Sequence, residues 1–133
     1  MKQFLYTTLS AAIIMLPLDF LWLWSMNSFY KGQLGSIMLD QPRIPPAIAF
    51  YLIYVAAVAF LAIMPNLTTG TIWSAAGYGA VLGLAAYGTY DGTNHATLKD
   101  FTATVMYVDW TWGTILTAAT SALGWKIMTW WQG

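Results

Sequence analysis

The chain has 133 residues, 59% of them hydrophobic and 8% charged, with a mean hydropathy of +0.59. A soluble domain carries about 25% charged residues, so this chain lacks the polar surface to stay dissolved in water, and lipid is the solvent that fits it. Five Lys and Arg balance five Asp, which leaves no basic patch for nucleic acid, and the absence of Cys excludes disulfides and thiolate metal sites.

A spanning helix needs about 20 apolar residues, and four segments qualify. The first runs from about Phe4 to Met26. Its apolar run is too long for a signal peptide and Asp19 interrupts it, so it reads as a retained span. Pro17 lies inside it and predicts a kink. A polar connection follows to Pro46, in which Leu34, Ile37 and Met38 have the spacing of a short interfacial helix. Pro45 and Pro46 suit a helix start, so the second span covers about 46–64 and ends at Pro65 and Asn66.

The third span covers about 72–90. Ala75, Gly79 and Gly83 recur every four residues, a spacing that lets two helix backbones approach closely. Tyr87 and Asp91 continue that face if the helix reaches them. Residues 92–100 read as the third connection, with Asp91-Gly92 as a turn signal. The fourth span covers about 103–126, with Trp125, Trp130 and Trp131 beside Lys126 as an interfacial belt. The expected fold is an all-α membrane protein: one domain over residues 1–133, a bundle of four transmembrane helices with both termini on one side.

Up-down connectivity then places Asp19, Asp91 and Asp109 in the same half of the membrane. Asn27, Tyr30, Tyr51, Tyr54, Tyr87, Tyr90, His95 and Tyr107 share that half. Asp19 and Asp109 lie on the order of 10 Å inside their helix ends. An intramembrane carboxylate costs about 2.5–3.5 kcal/mol, so the acids are expected to face the bundle interior, a partner or water. A carboxyl kept neutral there can donate a hydrogen bond or act as a general acid. Asp19 to Trp22 and Asp109 to Trp112 both read Asp-x-x-Trp, one helical turn apart on one face. Trp22 and Trp112 are expected to wall a pocket above their aspartates.

Several of these residues carry a resemblance. Leu18-Asp19 with Trp22, the run from Phe50 to Tyr54, Tyr87-Gly-Thr-Tyr-Asp91 followed by Thr93-Asn94 and Ala96-Thr97-Leu98-Lys99, and Asp109 with Trp112-Gly113 resemble an uncharacterised bacterial integral membrane family, domain of unknown function 2177. The resemblance spans essentially the whole chain. It implies the four-span architecture and residence in a bacterial inner membrane. It adds weight to Asp19, Asp91, Asn94, Lys99 and Asp109, and it assigns no activity.

The expected function is binding, or modification, of an apolar or lipid-like molecule in a one-sided pocket. The candidate ligand-binding residues are Asp19, Trp22, Tyr54, Tyr87, Tyr90, Asp91, Asn94, His95, Lys99, Asp109 and Trp112, with Asp19, Asp91 and Asp109 as catalytic candidates. A proton- or cation-coupled transporter subunit and a non-catalytic assembly subunit stay open as alternatives. Ala75, Gly79 and Gly83 are read as helix packing. Partners are membrane lipid, a lipid-like small molecule and a second copy of the chain, with no nucleic acid. Whether a cofactor is used is unknown from the sequence. Asp19, Asp91, Asp109 and His95 form a hard donor set, but without a two-ligand helical pair no metal site is expected.

Overall fold

The computed structural model describes residues 1–132, all-helical with no strands. Four long helices follow one another: α1 (Lys2–Leu34), α2 (Ile44–Val58), α3 (Ile72–Thr97) and α4 (Ala103–Gln132). A π-helical turn (Ala59–Ile63) and a 3-10 turn (Met64–Asn66) extend α2. α1, and α2 with its extension, are long and apolar enough to cross a membrane. α3 and α4 match them in length, but Gly, Thr and Ser lower their hydropathy.

The helices run further than the sequence pattern predicts. α1 passes through Pro17 without a break and continues to Leu34, beyond the expected end at Met26. It therefore absorbs the start of the first connection. The short interfacial helix around Leu34 to Met38 does not form; the amides of Ile37 and Met38 both return to the Leu34 carbonyl in a turn. Pro45 and Pro46 sit in the first turn of α2, where a missing N–H costs nothing. Thr71 caps α3 through a reciprocal pair with Ser74, at 3.1 and 2.7 Å. The Asp91-Gly92 turn is a correction: α3 continues through it to Thr97. The Thr93 hydroxyl bonds the Thr89 carbonyl and the Thr97 hydroxyl bonds the Thr93 carbonyl, so the polar side chains serve the helix instead of ending it.

Small residues decide how α3 meets α4, the most extensive helix pair. Ala75, Gly79 and Gly83 are buried along one face of α3. A Cβ at Gly79 would stand 2.6 Å from the Thr117 carbonyl oxygen, and one at Gly83 would stand 2.6 Å from that of Gly113. Gly113 in turn leaves room for the Tyr87 ring, which a Cβ there would meet at 2.0 Å. The Trp110 indole donates to the Leu84 carbonyl at 2.8 Å and locks the same pair. α1 packs on α4, and the π-helical turn fills the remaining side with Ala59, Ala62 and Ile63, all fully buried. Trp125 donates to the Asn66 carbonyl at 2.8 Å, which fastens the end of the 3-10 turn to α4.

The interior holds buried polar side chains while large apolar ones stand outside. Thr7, Ser10, Asp19, Asn66, Asp91, Thr117, Thr120 and Ser121 are buried, while Phe20, Trp24, Ile53, Trp73, Val81 and Trp130 are each more than two-thirds exposed. Exposed apolar surface on this scale marks a membrane or partner face. Several buried hydroxyls are satisfied locally: Thr117 bonds the Gly113 carbonyl at 2.7 Å and Ser121 that of Thr117 at 2.8 Å, while the Thr120 hydroxyl has no partner. Hydrocarbon outside is tolerated where backbone and side-chain polar groups pair within the bundle.

Candidate functional site: a carboxyl-lined cavity

Each helix supplies part of one cavity of about 310 Å³. α1 gives Asp19 and Leu23, α2 gives Phe50 and Tyr51, α3 gives Ala86, Tyr87 and Tyr90, and α4 gives Asp109. Leu23, Phe50 and Tyr90 are exposed and form its mouth. Asp19 is 6% exposed, at the inner wall.

The two aspartates are held crosswise. Asp19 on α1 accepts from the Trp112 indole of α4 at 2.9 Å and from the Tyr51 hydroxyl of α2. Asp109 on α4 accepts from the Tyr30 hydroxyl of α1 at 2.5 Å, and Tyr30 accepts from the Trp22 indole at 3.0 Å. The two Asp-x-x-Trp segments therefore serve each other's acid: Trp112 directly, Trp22 through Tyr30. Their indoles stack face to face, 4.3 Å between centroids and 4° between planes. Both indoles also line a separate open cavity of about 380 Å³ with Tyr107 and Ile115, and through their hydrogen bonds the rings bridge the two carboxyls.

Asp91 lies behind this pair. It is fully buried, and neither carboxyl oxygen has a hydrogen-bond donor. Its neighbour is the Asp109 carboxyl. A buried acceptor without a donor costs about 1–3 kcal/mol, so the pair is satisfied only when a proton or another donor stands between the two acids. Asp109→Asn keeps an oxygen for Tyr30 and turns its amide N–H towards Asp91, raising stability by about 1 kcal/mol. Thermal unfolding in detergent checks the sign; a lower midpoint contradicts the pairing.

The other sequence candidates take separate places. Tyr87 and Tyr90 line the cavity. Tyr54 is buried and shares a 2.8 Å hydrogen bond with Thr117, so it belongs to the core. Asn94 is partly buried on α3, beside Tyr90. His95 is exposed and its Nδ1 donates to the Phe101 carbonyl at 2.8 Å, closing the turn into α4. Lys99 is exposed in that connection. Among the described residues no three His, Asp or Glu side chains stand close enough together to hold a metal ion. His95→Ala is expected to lower stability by about 1 kcal/mol and to leave ligand binding at the cavity unchanged. A loss of binding by equilibrium titration would bring His95 into the site.

Tyr51, Phe50, Leu23 and Ala86 line the cavity and escaped the candidate residues, as did the donor Tyr30. Tyr51 and Tyr30 had a signal: a phenol in the same half as a buried acid is a ready neutral donor. Ala86 had none, because an alanine lines a cavity only by what its neighbours leave open.

Every hydrogen bond to Asp19 and Asp109 comes from a neutral Tyr or Trp. All five Lys and Arg side chains are exposed. The cavity is therefore apolar in its walls, acidic at its inner end, and without a cation of its own.

No curated protein and no solved structure matches the chain. One family profile does, over residues 4–126, and it is described as a predicted membrane protein. That span contains all four helices' contributions to the cavity, and the description agrees with the large apolar side chains exposed around the bundle. The chain belongs to the membrane protein family of domain of unknown function 2177.

Proposed function

We propose that the protein is a four-span bundle of a bacterial inner membrane, with both termini on one side, that binds an apolar or lipid-like molecule in the cavity between its helices. The reading rests on one observation: a cavity with exposed apolar residues at its mouth ends on two carboxyls held in place by four aromatic side chains. A pocket with apolar walls and a few convergent polar groups is the usual form of a small-molecule site, and about 310 Å³ lies at the lower end of the range for such sites. Leu23, Phe50 and Tyr90 at the mouth would let an acyl chain leave sideways into lipid while its polar end stays inside. In this arrangement Asp19 and Asp109 are the binding groups, Tyr30, Tyr51, Trp22 and Trp112 position them, and Asp91 backs Asp109.

Filling the cavity separates binding from the acids themselves. Ala86→Phe adds a ring at the cavity wall and leaves every carboxyl and its donors unsubstituted. Native mass spectrometry of the purified protein is expected to show a retained small molecule or lipid on the wild type and none on Ala86→Phe. Equal retention by both proteins would place the bound molecule elsewhere.

A further inference from the structure

We infer that the molecule bound here presents an organic cation, an ammonium group on an apolar chain. The inference rests on the binding reading above and adds the charge of the headgroup.

The charge distribution makes the first argument. Asp91 is fully buried and Asp19 nearly so, Asp109 is half-buried, and every Lys and Arg of the chain is exposed. Buried charges are normally paired with an opposite charge or a metal. Here the partners of Asp19 and Asp109 are phenols and indoles, which orient a carboxyl without neutralising it. Asp91 has no donor at all and stands behind Asp109, adding a third acid to the same end. One shared proton accounts for the Asp91–Asp109 contact. It supplies nothing to Asp19, whose donors are Tyr51 and Trp112. A positive group entering the cavity completes the set.

The walls choose among cations. A calcium ion takes six to eight oxygen ligands in a tight shell, and among the described residues no three acids come close enough together to share one ion. The remaining surface is Leu23, Phe50, Tyr51, Ala86, Tyr87 and Tyr90. Four of those six are aromatic, and ring faces attract ammonium groups, quaternary ones above all. A fatty-acid carboxylate or a bare phosphate would meet like charge at the inner wall. The volume, about 310 Å³, equals that of about ten water molecules. It holds a compact head and a short length of chain, with the rest passing between Leu23, Phe50 and Tyr90.

Three probes share a chain length and differ in head charge: dodecyltrimethylammonium, dodecanol and dodecanoate. Binding of each to protein in neutral maltoside micelles is measured by equilibrium dialysis. The ammonium probe is expected to saturate one site at least tenfold more tightly than dodecanol, and dodecanoate to bind least. Ala86→Phe should abolish the saturable site. Tyr90→Leu, which leaves every acid and its donors in place, should weaken the ammonium probe several-fold and leave dodecanol unchanged. Equal affinity for dodecanol and the ammonium probe at a site lost in Ala86→Phe overturns the cationic headgroup and keeps the binding reading. Ammonium binding that survives Ala86→Phe also overturns it, since the probe then sits on the surface. No saturable binding by any probe removes the binding reading and this inference together.

Discussion

Gly83→Ala destabilises the protein by about 3 kcal/mol, while Gly77→Ala, on the same helix, stays within about 1 kcal/mol of wild type on the stabilising side. The two glycines differ only in what they face. A Cβ at Gly83 lies 2.6 Å from the Gly113 carbonyl oxygen and 2.9 Å from the Thr117 side chain, and a Cβ at Gly77 meets nothing within 4 Å. The obstacle at Gly83 is backbone, so no rotamer change relieves it. α3 and α4 have to separate, and close-packed interiors pass such a shift on to their neighbours. The next residue on the face, Tyr87, rests against Gly113 and lines the cavity. The substitution should therefore weaken ligand binding as well as the fold. Reversible unfolding in mixed detergent micelles measures both variants. Similar stability for the pair would mean that α3 and α4 do not meet through this seam.

Asp19→Asn abolishes binding at the cavity and costs less than about 1 kcal/mol in stability. The asymmetry follows from the partners. Trp112 can only donate, and the asparagine oxygen still accepts from it. Tyr51 can turn its hydroxyl and accept from the new amide N–H. Both contacts persist with their directions rearranged, so the helices stay together. What disappears is the negative charge at the inner wall. Asp19→Leu behaves differently, because the Trp112 N–H and the Tyr51 hydroxyl both lose their partner in a buried place, at about 1–3 kcal/mol each. Unfolding midpoints and dialysis against dodecyltrimethylammonium, run on all three proteins, separate the two effects. A strongly destabilised Asp19→Asn with undiminished binding would assign Asp19 a purely structural role.

Helix identity was legible in the sequence because apolar runs this long leave no alternative. Their ends were not. Asp91-Gly92 and Thr93 carry turn chemistry, yet α3 runs to Thr97, because each hydroxyl finds a carbonyl four residues back within the helix. Water normally competes for those carbonyls, and propensity scales are calibrated where it does. The gathering of Asp19 and Asp109 followed from counting residues along alternating helices. Their crosswise partners did not, because Trp112 reaching Asp19 depends on the crossing of α1 over α4, which residue spacing on one helix cannot encode. His95, the single imidazole, drew attention by its rarity, and its ring serves a backbone carbonyl.

A shared recess for Asp19 and Asp109 requires four membrane crossings that bring both acid-bearing helix ends to one side, and the absence of Cys makes that directly measurable. Single cysteines placed by Ser36→Cys, Thr68→Cys, Lys99→Cys and Gln132→Cys all occupy exposed positions outside the cavity. An impermeant maleimide added to sealed vesicles of one orientation should label positions 36 and 99 from the same side and positions 68 and 132 from the other. Labelling of 36 and 99 from opposite sides would contradict the account, because Asp19 and Asp109 could not then share one recess in a four-span bundle.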